Sequence, residues 1–233
     1  MLTNFKKWLM LGLYPVGMFI LPLIIILVIL LIGGYDITDG VPFEPTMIAT
    51  IISYGILCLA LVIISFDIFK QEFRKIKSWG NFSLQMVIGL LCTFGAALIG
   101  SLLVTFAGET DTALNQQLVE EALQTMPFLM ILTTVFFGPI VEEIIFRLIM
   151  MNLFSKWKPI FNVICSSLIF GAMHVMAGGW IHIIPYFLMG LVFGYIYLKN
   201  DNIWHATILH ILHNGLTVAI VFATQWLLGG YPY

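Results

Sequence analysis

Charge is what this sequence has least of. Only ten Lys and Arg and twelve Asp and Glu occur in 233 residues, a charged fraction of 9 % against 61 % hydrophobic residues. A soluble domain of this size needs far more polar surface, so the scarcity predicts a polytopic membrane protein. A net charge of −2 leaves no basic surface for a nucleic-acid partner. Cysteine is scarce too. Cys58, Cys92 and Cys165 form an odd set in apolar runs, which offers no disulfide framework and suits buried thiols. Tandem repeats and low-complexity tracts are absent. The first apolar run is longer than the core of a signal peptide and lacks a small-residue cleavage site after it, which predicts a retained span.

What is present is apolar length. With about 20 residues needed per span, the runs predict an all-α, polytopic transmembrane helix bundle of about seven spans. These lie near 9–33, 46–66, 83–107, 127–154, 160–177, 181–198 and 203–229. The fifth and sixth are short and must be tightly placed or partly re-entrant. Thr112 to Thr125 reads as a polar helical turn or two on the surface. The charges sort by side under alternating topology. Lys6, Lys7, Lys70, Arg74, Lys75, Lys77, Lys156, Lys158 and Lys199 share one side. The opposite loops hold Asp36, Asp39, Glu44, Glu109, Asp111, Glu120 and Glu121 and no base. The positive-inside rule then predicts a multi-pass protein of the cell membrane with its N-terminus cytoplasmic and its C-terminus outside.

One base escapes this partition. Arg147 lies in the fourth run, one turn after the adjacent Glu142 and Glu143. A charge at mid-bilayer costs at least about 2.5–3.5 kcal/mol, so such a cluster marks a functional site by default. At about 1.5 Å per residue, Arg147 lies about 14 Å and Glu142 about 21 Å in from Lys156. His174 lies about 24 Å in from Lys158; His210 and Asn214 lie about 17 and 22 Å in from Lys199. Three spans thus bring their polar residues to one layer, which predicts an intramembrane active-site cavity.

Helix geometry separates the glutamates. Glu143 and Arg147 are four apart and share a face, whereas Glu142 is turned about 140° from Arg147. Glu143 is therefore the counter-ion or helper and Glu142 the free acid. A carboxylate with two imidazoles can polarise a water, or Glu142, His174 and His210 can hold Zn²⁺ with an open position. Asn214, or the second histidine, can donate to an oxyanion. His182, His205 and His213 read as structural: two lie near span ends, and His213 is turned from the His210–Asn214 face. Other hydrolytic kits are missing, with no His-Glu-x-x-His and no Gly-x-Ser-x-Gly. Cys165 sits about 180° around its helix from His174, and Ser167 about 10 Å along it.

Glu142-Glu143-x-x-x-Arg147, Phe170-x-x-x-His174 and His210-x-x-x-Asn214 together resemble the CAAX prenyl endopeptidase and bacteriocin-processing (CPBP) family of intramembrane proteases. The likeness covers about Pro127 to Leu216, and Gly138-Pro139 and Gly190-x-x-x-Gly194 suit it. It implies a peptide-bond hydrolase acting on a peptide or membrane-protein tail. Glu142 and His174 would be the catalytic pair, His210 and Asn214 the oxyanion pair, and Glu143 and Arg147 the supports. Leu148 departs from the glycine common after the arginine, which puts a tight helix contact in doubt but removes no reactive group. The division implied is residues 1–126 as N-terminal helices with a polar connector and 127–233 as a catalytic bundle. Two other classes use the same residues: a non-catalytic scaffold or bacteriocin-immunity protein, and a proton-coupled transporter. The second is weakened by the lack of a repeated half.

Overall fold

A computed structural model describes residues 3–35, 40–153 and 158–227. The spans and loop charges assigned above to Asp36, Asp39, Lys156 and residues 228–229 lie partly outside these. The described residues form eight helical elements and no strand. These are α1 (Asn4–Gly33), α2 (Phe43–Phe73), α3 (Trp79–Phe106), α4 (Leu114–Thr125), α5 (Pro127–Asn152), α6 (Pro159–His174), α7 (Trp180–Asn200) and α8 (Ile203–Leu227). Six of them are long and apolar enough to cross a membrane, and α6, with 16 residues, is the shorter seventh. The polar connector is a three-turn helix, α4, rather than a turn or two.

Large apolar side chains such as Leu23, Ile63, Leu91 and Trp226 are exposed along the outer faces. That is the pattern of a bundle whose solvent is lipid. Cys92 is among the exposed residues, contrary to the expectation for all three thiols; Cys58 alone is fully buried. With no hydrophobic gain between helices in lipid, close approach at small residues holds the bundle together. α6 and α7 pack at Gly190 and Gly194, where an added Cβ would come within 3.0 Å of Ser167 and 2.9 Å of Val163. α3 crosses α7 at Gly100, where a Cβ would collide with the Pro185 backbone.

α5 is not a regular α-helix. Wide π turns run over Leu132–Phe137 and Ile144–Ile149, on either side of Gly138–Glu143. Pro139 has no N–H and crowds the carbonyl four residues back, so the chain widens there and Gly138 N–H reaches Thr133 O instead. The second wide turn has no comparable cause in the sequence. α8 begins under a cap from another helix: the Glu72 carboxylate accepts the Ile203 N–H at 2.5 Å, and Asn202 donates to the Glu72 carbonyl at 2.8 Å. This fixes the start of the helix that carries His210 and Asn214.

Candidate active site

The Glu143–Arg147 pair forms as the spacing requires. Arg147 Nε donates to Glu143 Oε2 at 3.1 Å, and both side chains are 0 % exposed. The remaining Glu143 oxygen lies 2.9 Å from His210 Nδ1. Arg147 Nη1 donates to Ser166 Oγ at 2.9 Å, and Ser166 donates onward to the Phe146 carbonyl at 2.6 Å. The guanidinium also lies 5.3 Å from the Phe170 ring centroid. Three helices are thus tied by one charged network beneath the site.

Glu142 takes no part in that pairing and is 13 % exposed. Its Oε2 lies 3.7 Å from His210 Nε2 and 3.9 Å from His174 Nε2. These are charge contacts, too long for direct hydrogen bonds. His174 Nδ1 faces the Phe170 carbonyl at 2.9 Å and His210 Nδ1 faces the Glu143 carboxylate. Both partners are acceptors only, so each Nδ1 carries a proton and each Nε2 turns toward Glu142. Aromatic rings hold these imidazoles in place. Tyr186 stacks on His174 with centroids 4.4 Å apart, and Phe193 stacks on His210 at 4.3 Å. Asn214 donates to the Thr134 carbonyl at 2.8 Å, which uses one of its two amide protons.

A cavity of about 410 Å³ connects these groups. Glu142, His174, His210 and Asn214 all line it; Glu143 and Arg147 lie behind its wall. The four residues read from three separate runs are therefore brought together, and so are their two supports. His213 is a correction. It was set aside as facing away, yet it lines the same cavity, with Nδ1 3.1 Å from Thr93 Oγ1. On the regular helix α8, positions 213 and 214 flank His210 by about 60° and 40° on either side, so both reach the space. Of the other two histidines, His182 Nε2 faces the Asp111 carbonyl and His205 packs on Phe82, both away from the cavity lining. Ser166, Tyr186 and Phe193 are the contributors that sequence reasoning missed. Tyr14 and Tyr54 reach the cavity from α1 and α2.

Zinc fits this donor set in kind, with each imidazole held at Nδ1 by an acceptor, the usual support for a metal-binding histidine. A tetrahedral zinc at about 2.0–2.1 Å sets its ligands about 3.4 Å apart, so the donors would have to close by a few tenths of an ångström. Among the described residues no group of three His, Cys, Asp or Glu is already spaced to hold an ion.

The structure is an apolar helical bundle in which one carboxylate, two imidazoles and an amide line an internal cavity, with a buried Glu143–Arg147 pair behind its wall. Residues 124–216 match the family model of type II CAAX prenyl endopeptidases, Rce1-like. The "Putative membrane peptidase YdiL" of Bacillus subtilis is 26 % identical over 198 residues, which cover 81 % of this chain and 79 % of the relative. The "UPF0177 protein YvdC" of Lactococcus lactis is 24 % identical over 181 residues, 76 % of this chain and 68 % of the relative. No solved structure matches. The three motifs and these matches support a likeness to the CPBP family of intramembrane proteases. That likeness and the six long apolar helices together support a multi-pass membrane protein.

Proposed function

We propose that this protein is an intramembrane endopeptidase that cleaves a peptide or the tail of a membrane-associated protein through a Glu142-activated water. The observation that carries the reading is the approach of two imidazole Nε2 atoms to one Glu142 oxygen, at 3.7 and 3.9 Å, inside a cavity bounded by membrane-spanning helices. Glu142 takes a proton from water as the oxygen attacks the scissile carbonyl, then passes it to the departing amine. His174, held by Phe170 and Tyr186, orients that water. Asn214 has an amide proton to spare for the oxyanion, and His210 donates from Nε2.

The surrounding charges support the last role. Donation from His210 Nε2 requires a proton there as well as on Nδ1, and the neighbouring Glu142 and Glu143 carboxylates are placed to face such an imidazolium. His210 then donates at both nitrogens, to Glu143 and to the oxyanion. Arg147 and Glu143 act by fixing His210.

Zn²⁺ is the cofactor this donor set suits in kind, and Glu142, His174 and His210 would hold it. When bound it would polarise the carbonyl and acidify its water. Metal analysis of the purified protein, with cleavage measured before and after a strong chelator, decides between the two forms. The water form predicts metal-free protein with unchanged cleavage.

The orientation that goes with this reading puts the N-terminus in the cytoplasm, which the one-sided lysines support. Glu142→Gln keeps the shape and removes the base. Cleavage of a quenched fluorogenic peptide pool should fall by about 10²–10⁴-fold, with the protein still folded in detergent. Undiminished cleavage by that variant contradicts the mechanism, and immunity or signalling that survives loss of both Glu142 and His174 would favour a scaffold.

A further inference from the structure

The cavity occupies only one half of the bundle. On α2 its lining residues run from Met47 to Tyr54 and stop there; Leu57 and Leu61, further along, are 3 % and 0 % exposed in packed core. On α5 the lining ends at Glu142, and Ile144 through Ile149 are buried. On α8 it begins at His210, with Ile203, Ala206 and Leu209 at 0 % before it. In each case the packed half is the one nearer the lysine-bearing ends: Lys70 follows the core stretch of α2, and Lys199 precedes that of α8. An aromatic cluster of Phe69, Phe73, Trp79, Phe82 and Trp204 adds a plug at that end, and Trp204 Nε1 donates to the Phe69 carbonyl at 2.8 Å.

The other half ends under α4. Asn115, Gln116, Leu118 and Val119 of α4 line the cavity, while Gln117 and Glu121 face out. The C-terminal turn of α4 is anchored by Ala122 and Leu123, both 1 % exposed, in a core with Ile51, Met130 and Val218. Its N-terminal turns are held by less. Asn115 meets Tyr186, and the Asp111 carbonyl just before the helix meets His182. Gly108 at φ 94° and Gly179 at φ 67° lie in the loops beside it, conformations that glycine adopts without strain.

We propose that the substrate is a peptide segment presented at the non-cytoplasmic face, and that it reaches Glu142 under the N-terminal turns of α4. The substrate class rests on the proteolytic reading and on the orientation proposed above; the route rests on packing alone. A tail approaching from the cytoplasm meets about 15 Å of closed core, the ten residues from Glu142 to Asn152. The link from Asn115 through Tyr186 to the ring of His174 makes α4 a cover in contact with the catalytic group.

The test uses single cysteines introduced into the full chain after Cys58, Cys92 and Cys165 are replaced. Thr134→Cys sits deep in the cavity and Thr217→Cys on the facing wall. Glu121→Cys and Lys75→Cys mark the two surfaces. A charged, membrane-impermeant thiol reagent is applied to intact cells and to inverted vesicles. Thr134→Cys and Thr217→Cys should label from the side that labels Glu121→Cys, at least tenfold faster than from the side that labels Lys75→Cys. Faster labelling from the Lys75 side, or none from either side with both markers reactive, overturns the route. Markers of reversed sidedness overturn the non-cytoplasmic assignment. Labelling needs no cleavage, so failure of the catalytic reading leaves these outcomes intact and is read separately from Glu142→Gln.

Discussion

At the scale of single residues, the division between two adjacent carboxylates decides everything downstream. Glu143 is spent on Arg147 and His210; Glu142 is left facing the cavity with two imidazoles. This division was legible because four residues along a helix share a face and one residue does not. Ser166 was not legible, since a serine in an apolar run carries no sign that it accepts from a buried arginine on another helix. Tyr186 and Phe193 were hidden for a similar reason: in a span that is apolar all round, an aromatic facing the interior looks like one facing lipid. Removing one member of a buried ion pair costs about 3–5 kcal/mol because the partner charge is stranded. Arg147→Met should therefore lower thermal stability strongly. Arg147→Met combined with Glu143→Gln should recover part of that stability but not cleavage, since His210 has lost its charged anchor. Thermal melts in detergent alongside peptide cleavage check both halves.

At the scale of elements, α5 and the α6–α7 pair do the positioning. Gly138-Pro139 entered the sequence reading only as part of the resemblance, yet the wide turn before it is what a proline in mid-helix produces. The turn over Ile144–Ile149 carried no such warning. It did not upset the Glu143–Arg147 pairing; His213, on the regular helix α8, was misjudged although it lies only about 60° around from His210. Gly190 and Gly194 were noted only as suiting the resemblance, and the close contacts they permit are with Ser167 and Val163. An added Cβ at Gly190 also comes within 3.3 Å of Phe170, the residue that holds His174 and lies under Arg147. Gly190→Leu should cost about 1–3 kcal/mol in overpacking and lower kcat more than it raises KM, because the catalytic imidazole moves. Gly12→Leu, at a glycine with open space around it, should change neither. Steady-state kinetics on the two variants separates a packing effect from a general loss of the fold.

At the scale of the whole molecule, the sequence was most informative where the membrane constrains it. Apolar length and the one-sided lysines predicted a multi-span bundle, and six full-length helices with a shorter seventh are present. The cavity's asymmetry could not be seen in the chain. Whether Leu61 or Tyr54 meets core or open space depends on how α1, α2 and α8 lean together, and hydropathy assigns both to a span. The polar α4 was visible as a break between spans, but its place over the cavity is a tertiary fact.

The central claim is that Glu142 performs proteolysis within the membrane. It is tested most directly by comparing new peptide termini in cells that carry the wild-type chain and in otherwise identical cells that carry Glu142→Gln at equal membrane abundance. The account predicts at least one cleaved peptide present with the wild type and absent with Glu142→Gln. An identical set of termini in the two would contradict it.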